Sequence, residues 1–190
     1  METRYEETVV KLSESLKASF IEDADKADDR YAPRILSNDN DYNVNVLETL
    51  KRELCDCVSF DISVAFITAS GIQVLAAILA ELRDRGIPGR ILTSTYLNFN
   101  DPDALGKLLE YPNIETRVYQ GDLHAKGYFF NKDQISTIII GSSNLTQTAL
   151  TCNKEWNILF RSFPDGRLYL QAKEQYERLW SDEEAVLLTE

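Results

Sequence analysis

Apolar residues recur at helical or alternating spacing along most of the chain, and this pattern predicts its elements. Between residues 5 and 22 they recur every three or four positions, which indicates an amphipathic helix. The stretch 23–42 is rich in Asp and Asn and predicts a loop. Further helices are predicted over 46–54, 70–85, 101–110, 145–150 and 165–180. Strands are predicted over 58–67, 90–93, 114–119, 123–130, 135–141 and 155–161.

Polar residues mark the ends of several of these elements. Ser70 is positioned to cap the helix over 70–85, and Gly86 to end it. Asp101 and Pro102 supply a cap and a first-turn proline for the helix over 101–110. The alternation of strands with helices predicts an α/β fold with a mixed, largely parallel sheet flanked by helices. The tight turn at 131–133 makes its two strands antiparallel neighbours.

Length and composition suit one domain with a sizeable core, because the chain has 190 residues of which 44% are hydrophobic. We expect an N-terminal helix and loop at 1–34 and the main domain at 35–180. Residues 181–190 are expected to be a C-terminal tail or the start of a linker to a further domain. The chain is therefore expected to be part of a longer protein.

Charge and cysteine content narrow the functional classes. The net charge of -11 argues against broad, sequence-independent binding to nucleic acid, although basic residues are concentrated in the middle of the chain. No apolar run is long enough to span a bilayer, and the charged N-terminus lacks the apolar segment of a secretory signal. An odd count of 3 cysteines favours a reduced, cytoplasmic setting. Cys55 and Cys57 resemble half a metal site, but too few further ligands are available, and no metal or cofactor is expected.

The candidate chemistry is concentrated around the only histidine. His124 and Lys126 are two residues apart, so on a strand their side chains point to the same side, beside Tyr128. A lone His-x-Lys is weak evidence, but a lysine in an apolar strand is rare unless it is paired or functional. The pair places a nucleophile beside a cation.

A second polar segment follows where the next predicted strand ends. Ser142 and Asn144 lie between the strand over 135–141 and a helix, and by themselves they read as helix caps. Beside His124 and Lys126 they instead read as ligands of a phosphate group. Glu155 opens a later strand; alone it is an ordinary edge acid, but near His124 it is placed to fix the imidazole tautomer.

This set of residues resembles the HKD signature of the phospholipase D superfamily, in particular its nuclease and metal-independent restriction-endonuclease branch. Segments 91–96 and 141–150 also resemble the phospholipase-D-like domain found before superfamily 2 helicases. The resemblance implies that His124 is a nucleophile that forms a phosphohistidine. It implies that Lys126 and Asn144 bind phosphate oxygens, that Ser142 donates to the phosphate or braces the site, and that Glu155 orients His124.

One position departs from the family pattern. The family has Asp five residues after the lysine, where this chain has Asn131, and Asp133 lies two residues further on. The resemblance also implies a second histidine that protonates the leaving oxygen, whereas this chain has 1 histidine and one such cassette. We therefore expect a symmetric homodimer whose two chains share one site.

These observations favour a metal-independent phosphodiesterase that cleaves DNA, as part of a restriction or DNA-processing protein with a helicase. An imidazole can attack phosphorus while fixed donors meet the developing charge, and a lysine supplies the charge that a metal would bring. A nucleic-acid-binding module with an impaired site is the first alternative. A lipid phosphodiesterase is the second, and the chain shows no basic amphipathic helix for a membrane surface.

Overall fold

The computed structural model describes residues 2–21, 28, 30–38, 45–95 and 101–189. Its helices are α1 (Glu2–Phe20), α2 (Val46–Cys55), α3 (Ala69–Gln73), α4 (Ala76–Asp84), α5 (Pro102–Leu109), α6 (Gln147–Thr151) and α7 (Arg167–Trp180). Its strands are β1 (Arg34–Leu36), β2 (Ser59–Ser63), β3 (Gly89–Ser94), β4 (Ile114–Tyr119), β5 (Gly127–Asn131), β6 (Ser136–Gly141), β7 (Asn157–Ser162) and β8 (Ala185–Leu187). Among the described helices, none has both the length and the apolar character needed to cross a membrane.

The strands form one mixed sheet in the order β1-β7-β6-β5-β2-β3-β4-β8. The α/β architecture with flanking helices and an N-terminal helix is as predicted. The expectation that the sheet is largely parallel is wrong, because only β2–β3 and β3–β4 pair in parallel. Helices connect the two strands of each parallel pair, α3 and α4 between β2 and β3 and α5 between β3 and β4. The rest of the sheet is antiparallel, including the tight β5–β6 hairpin.

Two hydrophobic cores cover the two faces of the sheet. Side chains of α2 to α6 pack on one face, where Tyr128 and Phe130 of β5 are buried. Helix α7 packs on the other face, where Tyr176 and Trp180 contact a core that includes Phe129. The alternation along β5 thus sends successive aromatic rings into opposite cores.

Several predicted boundaries differ from the structure. The predicted strand over 58–67 is regular only through Ser63, and the strand predicted over 123–130 begins at Gly127. β1 forms inside the stretch predicted to be a loop, and β8 forms within 181–190; both are short edge strands held by pairing with β7 and β4. Much of the predicted loop, at 23–27, 29 and 39–42, lies outside the described residues.

The helix predicted over 70–85 is two helices, and Ser70 is not its cap. Ile67 forms a β-bridge to Leu145, and the helix begins directly after Thr68, at Ala69. Thr68 is therefore the N-cap, and its side chain accepts from the Gly71 N–H at 3.1 Å. A Cβ on Gly71 would lie 2.0 Å from the Leu145 carbonyl oxygen. This close approach of backbone to backbone requires glycine, and it holds α3 against the segment that follows Asn144.

Candidate active site

The predicted site residues converge where β5 begins and β6 ends. His124 and Lys126 lie in the irregular segment immediately before β5, not on the strand itself. Their side chains do meet, because Lys126 Nζ lies 3.0 Å from His124 Nδ1 and also donates to the His124 carbonyl oxygen at 2.8 Å. His124 is exposed, so its ring remains accessible to a substrate.

Lys126 carries its charge in a largely buried position, with 7% of its surface exposed. Burial lowers the pKa of Lys126, and the nearby charge of Glu155 acts in the opposite direction. A cation with few water contacts interacts more strongly with an incoming anion than an exposed one does. The site therefore holds a lysine suited to binding a phosphate oxygen.

Asn144 is fixed by the segment that follows β2. Its Oδ1 accepts from the backbone N–H groups of Ala65 at 3.1 Å and Phe66 at 3.3 Å. Since the oxygen is used in this way, the Nδ2 group is the part of the amide that remains to donate to a ligand. This orientation agrees with a role in binding an anion.

Ser142 and Glu155 form a pair on the neighbouring strand ends. Ser142 Oγ donates to Glu155 Oε2, and it also accepts from the Trp156 N–H at 3.1 Å. The Ser142 N–H donates to the Trp156 carbonyl oxygen, also at 3.1 Å. Glu155 thus has a partner that the sequence did not predict, while its expected contact with His124 stays a prediction.

Buried polar groups under the site hold the loop between β6 and α6. The fully buried Tyr128 hydroxyl donates to the Ser143 carbonyl oxygen at 2.9 Å. Asn157 donates to Ser143 Oγ at 2.9 Å and accepts from the Ser143 N–H at 3.2 Å. A Cβ on Gly141 would lie 2.3 Å from Asn157 Oδ1, so glycine is needed at this point. These hydrogen bonds and the close packing at Gly141 together fix the position of the loop around Ser143.

Ser94, at the end of β3, ties the segment before His124 to the segment that follows β2. Its hydroxyl contacts the carbonyl oxygens of Ala65 at 2.9 Å and Leu123 at 3.3 Å. Sequence reasoning assigned no positioning role to Ser94, Ser143 or Asn157. The available signal was a polar side chain at the end of an otherwise apolar run, a position where burial requires a hydrogen-bond partner.

Asn131 lies at the opposite end of β5 from the site and has a structural environment. Its Nδ2 donates to Ser59 Oγ at 2.9 Å and to Asp61 Oδ2 at 3.3 Å, while its Oδ1 accepts from the Tyr169 hydroxyl at 2.7 Å. Asp61 is buried and also accepts from Arg90 and Lys173. An amide is suited to this position because it donates to a carboxylate and accepts from a phenol.

The cysteines give no indication of a metal centre. Cys55 is exposed, whereas Cys57 is buried and donates to the Leu54 carbonyl oxygen. Burial raises the pKa of the Cys57 thiol to about 11, which disfavours the thiolate that a metal needs. Within the described residues no group of three or more His, Cys, Asp or Glu side chains is placed to hold a metal ion.

The site thus combines an accessible imidazole, a desolvated ammonium and an oriented amide, a set that can bind and attack an oxyanion.

Comparison with known families finds a match over residues 55–180 to the family described as cardiolipin synthase, PLD-like domain. No curated protein matches the chain.

Solved structures share the fold at low sequence identity. NucT from Helicobacter pylori is 20% identical with a TM-score of 0.65, and the match covers 82% of this chain and 98% of NucT. Nuc from Salmonella typhimurium, a phospholipase D family member, is 17% identical with a TM-score of 0.64, covering 83% and 99%. Phosphatidylserine synthase from Haemophilus influenzae is 15% identical with a TM-score of 0.60, covering 83% of this chain but 39% of the synthase.

Proposed function

The chain belongs to the family of phospholipase-D-like domains, and from that premise we propose that it is a metal-independent phosphodiesterase that cleaves DNA. The observation that carries the proposal is the contact of Lys126 with His124, 3.0 Å between Nζ and Nδ1, where the Lys126 backbone also pairs with the end of β6 that precedes Asn144. NucT and Nuc have names that denote nucleases and match this chain over almost their whole length, which supports a nucleic-acid substrate.

In the proposed first step, His124 Nε2 attacks phosphorus, a P–N bond forms and the bond to the leaving oxygen breaks. Lys126 and Asn144 hold the non-bridging oxygens as negative charge develops on them. Water then attacks phosphorus and the P–N bond breaks, which restores the imidazole, while the proton that the water loses returns to the group that protonated the leaving oxygen. Each step transfers the phosphoryl group once, so no oxidant or cofactor is needed.

The contact between Lys126 and His124 adds a requirement to this mechanism. An ammonium only donates, so Lys126 makes Nδ1 the acceptor and leaves the imidazole proton on Nε2. Attack through Nε2 needs the proton on Nδ1 instead. We infer that a bound phosphate draws Lys126 towards its oxygens and that Glu155 then accepts from Nδ1–H.

The leaving oxygen needs a proton donor, and the chain has 1 histidine. We propose that the donor is His124 of a second copy, so that two chains form a symmetric dimer around one site. Activity per chain then falls on dilution below the dimer dissociation constant, and light scattering shows the dimer above it. Activity per chain that stays constant down to concentrations where scattering shows only monomer would overturn the shared site.

A lipid phosphodiester is a second candidate, and one observation favours it. An apolar cavity of about 170 Å³ adjoins Lys126, with Phe129, Ile140 and Leu179 in its lining. The family description and the phosphatidylserine synthase also concern lipids. DNA is the better proposal because the synthase is far longer than this domain, whereas NucT and Nuc are of its size. Release of choline from phosphatidylcholine vesicles, without DNA cleavage, would select the lipid.

The direct test of the proposal is nicking of a supercoiled plasmid in EDTA. The parent chain nicks the plasmid, His124→Ala does not, and Lys154→Ala, which removes an exposed lysine near the site, remains active. Loss of nicking in EDTA with recovery on adding Mg²⁺ would refute the metal-independent mechanism. Nicking by His124→Ala at the parent rate would refute the nucleophile. Binding of DNA without nicking would favour an impaired binding module.

We also propose that the domain works within a larger restriction or DNA-processing protein that contains a helicase. The support is the resemblance of segments 91–96 and 141–150 to domains found before helicases. Tyr96 of the first segment lies outside the described residues. Sequencing the reading frame beyond Glu190 tests this: a helicase there supports it, and an unrelated domain or a stop codon contradicts it.

A further inference from the structure

Trp156 exposes a large aromatic ring directly beside the site. It is 79% exposed, whereas Trp180 is 6% exposed and stacks on Tyr176. A tryptophan normally buries its ring, since the ring carries a large apolar surface. The exposed ring of Trp156 thus calls for a contact that the isolated chain does not supply.

The backbone of Trp156 is fixed relative to the proposed phosphate-binding residues. Its N–H donates to Ser142 Oγ and its carbonyl oxygen accepts from the Ser142 N–H, both at 3.1 Å. Ser142 in turn donates to Glu155, whose Cα is about 3.8 Å from that of Trp156. The indole is therefore attached to a backbone position that hydrogen bonds hold in place, one residue from Glu155.

An apolar surface continues from Trp156 across the sheet. Trp156 immediately precedes β7, and its backbone bond with Ser142 continues the β6–β7 pairing by one residue, so Trp156 and Ile158 lie on the same side. Ile158 pairs with Ile140 and Ile35, and these three are 38%, 40% and 64% exposed. This row, Trp156-Ile158-Ile140-Ile35, begins at the site and offers an uncharged surface next to a phosphate position.

We propose that Trp156 is a stacking platform for a nucleobase next to the scissile phosphate, so that the site favours an unpaired strand. The inference rests on the proposed function and specifies its substrate. A chain of net charge -11 gains little from its overall field when it approaches DNA. Stacking of bases on aromatic rings supplies affinity that depends neither on charge nor on base identity.

The test measures binding in a His124→Ala background, so that cleavage does not interfere. A short oligothymidylate should quench the emission of Trp156, with Trp180 as an internal reference, and Trp156→Ala should lower its affinity about tenfold or more. Trp156→Phe should retain most of the affinity. A strand of abasic sugar phosphates should bind Trp156→Ala and its parent equally, and Ile35→Ala, at the far end of the row, should have little effect.

The binding results distinguish a failure of base stacking from a failure of the proposed nucleic-acid substrate. If the His124→Ala parent binds neither strand, the nucleic-acid substrate is wrong, and stacking with it. If it binds both strands and Trp156→Ala changes neither affinity, stacking alone is wrong. If Trp156 emission changes on dilution without any oligonucleotide, and Trp156→Ala abolishes self-association, the row belongs to a second copy of the chain and the stacking proposal is overturned.

Discussion

Restoring the family's aspartate with Asn131→Asp should destabilise this protein rather than improve it. The substitution replaces an amide that donates to Asp61 Oδ2 at 3.3 Å by a second carboxylate at the same distance. Two unit charges so placed repel by about 5 kcal/mol at an effective dielectric constant of about 20. Arg90 and Lys173 offset part of this repulsion because they already contact Asp61.

Protonation of the introduced carboxyl sets an upper limit on the cost. An aspartate with an unperturbed pKa of about 3.9 requires about 4 kcal/mol to be protonated at pH 7, and about 1.5 kcal/mol at pH 5. We therefore expect Asn131→Asp to lose about 2–4 kcal/mol of unfolding free energy at pH 7. The repulsion raises the folded-state pKa of the new group, so the cost is present above that pKa and fades as the pH falls towards the unfolded value.

The assay is denaturant unfolding of parent and variant at several pH values between about 5 and 7, with Asn153→Asp as an exposed control expected to change stability by less than about 0.5 kcal/mol. Lys126 and Asn131 are about 17 Å apart along the extended chain, so the folded variant should cleave at the parent rate per molecule. An Asn131→Asp chain as stable as the parent at pH 7, or more active per folded molecule, would refute this account of Asn131.

Substitutions at three further positions test the site. Lys126→Met should abolish cleavage yet raise the melting temperature. Because burial lowers the pKa of Lys126, the parent should recover stability relative to the variant as the pH rises through the alkaline range. A variant less stable than the parent would contradict this expectation. Tyr128→Phe removes the donor to the Ser143 carbonyl and should cost about 1–2 kcal/mol of unfolding free energy, so an unchanged denaturation midpoint would argue against that contact. Asn144→Ala should raise the barrier to cleavage by about 2–4 kcal/mol and also lower the free energy of unfolding by about 1–3 kcal/mol. Asn144→Asp keeps the acceptor for the Ala65 N–H and should therefore restore stability but not activity. Recovery of activity in Asn144→Asp would contradict the donor role of Asn144.

Much of the fold was predictable because its elements carry strong local signals. Helix α5 has its Asp101 cap and first-turn proline, and β4 matches the predicted 114–119 at both ends. The two edge strands were not predictable, because each has three residues and exists through pairing with a distant strand. The parallel share of the sheet was overestimated because alternation of strands and helices does not show which strands become neighbours.

The candidate site was predictable where chemistry and spacing coincide. The pairing of His124 with Lys126 was expected from their two-residue spacing, and it holds in the irregular segment before β5 although the strand starts later. The partner of Glu155 did not follow, because Ser142 meets it only through the register of β6 against β7. Ser94 likewise reaches Leu123 across the sheet, a contact that spacing along the chain cannot reveal.

Asn131 illustrates the limit of reading a motif by itself. In the sequence it is a missing aspartate, whereas in the structure it is an amide that a buried carboxylate and a phenol both require. The contacts with Asp61 and Tyr169 span 70 and 38 residues of sequence. A local motif carries no information about partners at such distances.

Capture of the covalent intermediate would establish the role of His124 directly. The chain is mixed with DNA in EDTA, quenched in alkaline detergent, where a phosphorus–nitrogen bond survives, and digested with trypsin for mass spectrometry. We expect a phosphoryl-linked nucleotide on the peptide 118–126, which contains the chain's 1 histidine, and its absence from His124→Ala. Cleavage that proceeds without this adduct in the parent, or with an adduct on another residue, would contradict the assignment of His124 as the nucleophile.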